Sequence, residues 1–369
     1  MRALVVSTSY PRSADDWRGR FIADMVAALP NEEVSVSLWA PPGPLPAGVT
    51  QAGSSEEQAW LDNLSEAGGI ASRLRAGPVP ALSSTFGLLR RLWRVYRRES
   101  ADVMHINWLQ NALPLIGTRH SAVIGILGSD FGLLRLPGMT ALIKSALAGR
   151  RILLAPNAPW MAPRLETLFG DVAAVRPLPF GVAKEWYSVE RLVARRGAPW
   201  LAVTRVTRAK IGELFRWGEG LFDARRPLVL LGPLQEDLPL PAWVDYKGAT
   251  NPEALRNEWF PQAAGLITLS RHDEGRPQVM IEAMAAGLPL IATDLPAHRD
   301  LVDEGENGHL TESREALAAA LDDLSDAERN RRAGAASREK ARSEIGDWQD
   351  AAVRYRAAYR EVCGEVRAS

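Results

Sequence analysis

Cysteine is nearly absent from this chain of 369 residues: Cys363 stands alone. No disulfide framework can form within one chain and no thiolate metal cluster can be built, so a reducing compartment fits best. Net charge is absent too, since 44 basic side chains balance 44 acidic ones. A dedicated nucleic-acid binder would show a strong basic excess. No apolar run approaches the roughly 18 residues that span a bilayer; the longest, around Ala122–Leu127 and Gly265–Leu269, are strand-sized. The opening Met1–Val6 runs into a strand-like segment and leaves no room for a signal-peptide core. A cytoplasmic protein is expected. No Asp-x-Asp pair and no His/Asp/Glu cluster at ligand spacing occurs, so neither a metal nor a cofactor is expected. No Gly-x-Gly-x-x-Gly follows a strand and no Gly-Lys-[Ser/Thr] loop exists, which disfavours dinucleotide dehydrogenases and P-loop enzymes.

What is present is alternation. Ala3–Ser7, Glu33–Trp39, Val103–Ile106, Ala122–Leu127, Ile152–Ala155 and Val175–Leu178 read as strands, separated by helix-length segments such as Arg20–Leu29. The theme resumes with Trp200–Val203, Leu228–Leu231, Asp245–Lys247, Leu266–Leu269 and Leu290–Thr293. Such alternation implies parallel strands with crossover helices. Length favours two domains. The expected organisation is α/β: residues 1–183, residues 184–345, and a last helix within 346–369 that folds back toward the first domain. Ligands then belong at strand C-terminal ends in the cleft between them.

The most informative string runs from Leu266 to Pro289. A buried strand ends at Ser270, a polar loop follows, Pro277 suits a first helical turn, and Gly287 with Pro289 ends the helix. The Gly275 and Arg276 amides then lie at a helix N-terminus, where anions bind. Glu274 and Glu282 are eight residues apart, about 80° in helical projection, so both can face one groove. A carboxylate accepts two hydroxyl hydrogen bonds at once, as a ribose or sugar diol requires. Two solvated carboxylates are the plain alternative. Arg205 and Lys210 leave the strand Trp200–Val203; a planar fork and a point charge at that spacing can clamp a diphosphate, or form a solvated pair.

The Glu274–Glu282 string closely resembles the Glu-x7-Glu signature of family 4 glycosyltransferases, with Arg276 in place of the usual aromatic. Ala292-Thr293-Asp294 and Val302–Gly308 match as well, and Arg205-x4-Lys210 is similar to the family's donor-phosphate motif, with Thr204 where Gly is usual. In the first half, Tyr10-Pro11 and Gly19, then Asp102–Trp108, then Gly128-Ser129-Asp130 resemble further family segments. The resemblance implies a GT-B fold, two Rossmann-like domains across a cleft, and a retaining hexosyltransferase that uses a nucleoside-diphosphate sugar. It implies donor contacts from Arg205, Lys210, Gly275, Arg276, Pro277, Glu282 and Gly19, and chemistry at Glu274, Asp130 and His105. His105 reads equally well as a core residue. Leu127 stands where many members have a His, which motivates two rival readings: a catalytically impaired binding or scaffold protein, and a GT-B-type nucleotide-sugar epimerase.

From Ala71 to Glu99 there are seven Arg (73, 75, 90, 91, 94, 97, 98) and one acid, with Phe86, Leu89, Trp93 and Tyr96 at helical spacing. A basic helix with an aromatic side binds an anionic membrane surface, or packs on a sheet with its Arg solvated. Contact through residues 86–98 with the inner face of the plasma membrane suits a lipid-linked acceptor.

Overall fold

The protein, seen in a computed structural model, is described for residues 1–13, 16, 18–66, 78–192, 197–272 and 274–364, with 78–81 by their backbone. Arg73 and Arg75, and residues 193–196 near the expected joint, lie outside the described residues. The chain divides into two compact units, Met1–Gly181 with Trp348–Ser369, and Val182–Asp347.

The first unit is a seven-stranded parallel sheet. Its strands are β1 (Arg2–Val6), β2 (Ser35–Trp39), β3 (Val49–Gln51), β4 (Val103–Asn107), β5 (Ser121–Ile126), β6 (Ile152–Pro156) and β7 (Ala174–Val175), in the order 3-2-1-4-5-6-7. Parallel strands covered on both faces need apolar residues at nearly every position, which is why β4 through β6 read so clearly. Met104 and Ile106 of β4 join a core with Leu88, Leu92, Val95 and Tyr96 of α3 (Pro78–Arg98). The alternate β4 residue His105 lies against the C-terminal helix Trp348–Cys363. The layer with α3 also holds α2 (Ser55–Glu66), the 3₁₀ helix Leu109–Leu115 and α4 (Met139–Leu147). Helix α1 (Arg20–Ala28) packs on the C-terminal helix.

The second unit is a six-stranded parallel sheet of β8 (Trp200–Val203), β9 (Leu228–Leu231), β10 (Val244–Gly248), β11 (Gly265–Thr268), β12 (Leu290–Thr293) and β13 (Gly308–Thr311), in the order 10-9-8-11-12-13. Strand order reverses between β8 and β11. In open parallel sheets the crevice outside the strand C-termini at such a reversal takes the ligand.

Three helices of this unit bear on that crevice: α5 (Arg208–Ile211), α6 (Gln278–Ala285) and α7 (Pro296–Arg299). Helix α6 leaves β11 and is fixed at its far end. Gly287 takes a left-handed φ of 81°, and guanidinium groups collect the carbonyls that the helix leaves over. Arg338 donates to Ala285 O at 3.1 Å and Ala286 O at 2.8 Å, and Arg191 donates to Gly287 O at 2.7 Å. Burial pushes Arg191 down to about 10, with the Arg338 charge adding to the effect. Arg338 comes from α8 (Ala327–Lys340).

Candidate functional site

The crevice between β8 and β11 is assembled by two loops that hold each other. After β8, Thr207 caps α5 by accepting the Lys210 amide at 3.3 Å. Gly212 then turns at φ 53°, so close to β11 that an added Cβ would lie 2.0 Å from Leu269 O. Two backbone bonds close the seam: Glu213 N to Leu269 O at 3.0 Å and Arg271 N to Ala209 O at 2.9 Å. Helix α5 is thereby stitched across the end of β11.

That seam sets Lys210 against Glu274. Their side chains form a direct, largely buried ion pair, although 64 residues separate them in sequence. Burial holds Lys210 below the ordinary lysine value, against the pull of the Glu274 carboxylate, and the nearby Arg205 charge adds a smaller push downward. Arg205 itself is exposed. Arg205, Lys210 and Glu274 therefore meet at the switch point.

Helix α6 opens beside them. Pro277 is its cap residue, in extended geometry with no side-chain cap bond, and helical geometry begins at Gln278, one residue later than the sequence suggests. Gly275 and Pro277 are buried, while Arg276 and Glu282 are half-buried. The N-terminal end of α6 carries the partial positive charge of aligned peptides.

Two participants had no signal in the motif. His298, fully buried in α7, donates Nδ1–H to Thr293 O at 2.7 Å, and Thr293 Oγ1 donates to Ser270 O at 2.7 Å. This chain of bonds runs from β12 to the base of the loop that carries Glu274. Burial lowers the His298 pKa, against weaker opposing pulls that include Glu274. The second is Glu213, buried and paired with Arg216 and Arg271. Its position directly after Gly212 was the one clue available in the sequence.

In the first unit the structure places two candidate site residues among buried neighbours. Asp130 is 1% exposed and its carboxylate accepts the amides of Leu109 at 2.6 Å and Leu127 at 2.8 Å. It staples the β5 exit loop to the 3₁₀ helix. Burial raises its pKa against these amide bonds. His105 is fully buried, shares a hydrogen bond with Tyr359 Oη at 2.5 Å and stacks on Tyr355 at 4.8 Å. Burial takes its pKa down to about 3, so it stays neutral in the core. Gly19 caps α1 at φ 67°, and an added Cβ would lie 2.7 Å from Tyr10 N, so it lets the two loops approach. The aromatic stripe of α3 also divides: Tyr96 is buried, with its hydroxyl donating to Asn111 O at 2.7 Å, while Phe86 and Trp93 are exposed. Among the described residues no group of three or more His, Cys, Asp or Glu is placed to hold a metal ion, and no helix is long and apolar enough to cross a membrane.

Solved structures share this architecture along nearly the full chain. Sucrose-phosphate synthase from Thermosynechococcus elongatus superposes with a TM-score of 0.73 at 15% identity, covering 99% of this chain and 100% of that one. A trehalose-6-phosphate structure from E. coli, bound with UDP-2-fluoro glucose, gives 0.69 at 13% identity, with 98% and 99% covered. Anabaena HepE in complex with UDP-glucose gives 0.61 at 14% identity, with 99% and 100% covered. The fold is GT-B. Residues 225–327 match the family model described as "Glycosyl transferases group 1". The spore coat protein SA of Bacillus subtilis is 34% identical over 97 residues, a stretch that spans 25% of this chain and only 26% of that protein.

Proposed function

We propose that the protein is a retaining glycosyltransferase that moves a hexosyl group from a nucleoside-diphosphate sugar to a hydroxyl of a glycan or lipid-linked acceptor, in the assembly of surface polysaccharide or glycoconjugate. The observation that carries this reading is the meeting of Lys210, Glu274 and the open end of α6 at the β8/β11 switch point. Arg205 and Lys210 hold the diphosphate, and together with the amide end of α6 they stabilise the charge that develops on it. Glu274, beside the Gly275 and Arg276 backbone, orients the transferred sugar. Glu282 accepts the ribose hydroxyls.

In this mechanism the bond from the anomeric carbon to the β-phosphate oxygen breaks and the acceptor oxygen bonds on the same face. The acceptor proton passes to the β-phosphate, which leaves as nucleoside diphosphate. Binding requires an exchange of partners. Lys210 turns from Glu274 to the phosphate, and the carboxylate released by that turn meets the sugar hydroxyls.

A binding protein on the same scaffold is the rival reading. It is favoured by Leu127, whose amide is spent on Asp130 and whose side chain offers no hydrogen bond. Thermal scanning against UDP-, GDP- and ADP-sugars identifies the donor, because a ligand bound only by the folded state raises its melting temperature. Glu274→Ala is expected to abolish turnover of that donor while nucleoside diphosphate still raises the melting temperature, since Lys210 is then unpaired and available to phosphate. Loss of both together would refute the assigned role, and binding without any turnover in the unaltered chain would favour the rival.

A further inference from the structure

One layer of the first unit is lopsided in both charge and polarity. It consists of α3, the 3₁₀ helix Leu109–Leu115 and α4, with the 3₁₀ helix packed against both of the others. From Pro78 to Arg98 there are five Arg and no acid; from Leu109 to Arg151 there are five Lys or Arg and one acid, the buried Asp130. Leu82, Phe86 and Trp93 on α3, Ile116 after the 3₁₀ helix, and Leu136 and Leu142 at α4 are all exposed large apolar side chains. The other exposed large apolar side chains among the described residues are scattered singly.

On α3 the pattern is a helical stripe. At 100° per residue, Leu82, Phe86, Leu89 and Trp93 fall within an arc of roughly 60°, centred about 120° round the helix from the buried Leu88, Leu92 and Val95. Leu82 and Phe86 are each 69% exposed and Trp93 is 43% exposed, values at which packing on the sheet explains nothing. Arg90, Arg94 and Arg97 flank the stripe, and the Arg97 guanidinium lies over the Trp93 ring at 4.7 Å. The neighbouring acidic helix α2 neutralises two of the five arginines on α3 but none of Arg90, Arg94 and Arg97. Its Glu56 and Glu57 pair with Arg91 and Arg98, and its Asp62 and Glu66 pair with Arg12.

We propose that this layer docks on an anionic lipid membrane. Leu82, Phe86 and Trp93 enter the boundary between headgroups and acyl chains, and Arg90, Arg94 and Arg97 reach the lipid phosphates. A basic face with an apolar ridge binds such a surface by apolar burial and electrostatic attraction together. Charge complementarity selects the lipid over a second copy of the chain, because two such faces would bring cation against cation. Docking of this kind needs no sugar donor, so it stands or falls apart from glycosyl transfer.

The test is flotation of the full chain with vesicles of phosphatidylcholine alone or of phosphatidylcholine and phosphatidylglycerol at 70:30, in low and high salt. Binding is expected to the anionic vesicles, with salt reversing it. Each Arg near the surface contributes about fivefold, so Arg90→Ala with Arg94→Ala weakens partitioning roughly 25-fold at low salt. Phe86→Ser with Trp93→Ser is expected to weaken it about tenfold or more, without loss of melting temperature, because these side chains are exposed. Equal flotation with neutral and anionic vesicles, or binding untouched by either double variant, would overturn the proposal. So would a stable dimer in solution that Phe86→Asp dissociates.

Discussion

His105 offers a quantitative test of where the core ends and the site begins. It is fully buried, bonded to Tyr359 and stacked on Tyr355, and burial holds its pKa at about 3. In the unfolded chain the imidazole takes a proton near its ordinary value of about 6.5. Between these two values the unfolded state binds more protons, so stability falls as pH falls, by up to about 1.4 kcal/mol per pH unit. By pH 5 the accumulated loss is about 2 kcal/mol. His105→Gln removes the titration and leaves an amide for Tyr359. It costs about 1–3 kcal/mol at pH 7 through lost stacking and altered volume. The assay is urea unfolding of both proteins from pH 7 to pH 4.5. The gap between them is expected to close as pH falls, with the curves meeting near pH 5. His298, also held below its usual value, is present in both and cancels. Parallel curves would refute the burial argument, and a variant that folds normally but loses all turnover would return His105 to the site.

Two further substitutions probe the remaining supports. Gly212→Ala places a Cβ 2.0 Å from Leu269 O at φ 53° and ψ −115°; a non-glycine residue in so sparsely populated a conformation costs about 1–3 kcal/mol, so the melting temperature is expected to drop by about 4 °C or more and the shift induced by nucleotide to vanish. An unchanged melting curve would show that the seam across β11 is not a constraint. Asp130→Asn turns one acceptor into a donor facing an amide, so a loss of about 1–3 kcal/mol in stability is expected with nucleotide binding intact, measured by denaturation and by isothermal titration with nucleoside diphosphate.

Sequence reading was sharpest where strands are buried on both faces. Trp200–Val203, Leu228–Leu231 and Leu290–Thr293 end where their apolar runs end. Two strands escaped it, Val49–Gln51 and Gly308–Thr311, and both are short edge strands. An edge strand exposes part of its length, so Thr50, Gln51 and His309 interrupt the apolar signal that central strands carry. The crevice of the second unit was legible in its parts, because loop, glycine and helix start are contiguous in the chain. That Lys210 touches Glu274 was not legible, since the contact depends on β8 lying beside β11. The surroundings of Asp130 and His105 were hidden for a related reason. A polar residue at a strand end looks the same whether it meets a ligand or a distant helix, and Tyr359 arrives from 254 residues away.

The anchoring of α6 also bears on how the chain can be divided. The stretch that carries the family match, residues 225–327, contains that helix, yet the two guanidinium groups that secure its last turn stand outside it on either side, at Arg191 and Arg338. Arg205 and Lys210 lie upstream of the match as well. A fragment trimmed to the matching stretch would keep Glu274 in its loop and Glu282 on the helix, but would lose both guanidinium groups that hold the carbonyls at the helix end. The smallest piece able to present those carboxylates in register must start before residue 191 and continue past residue 338.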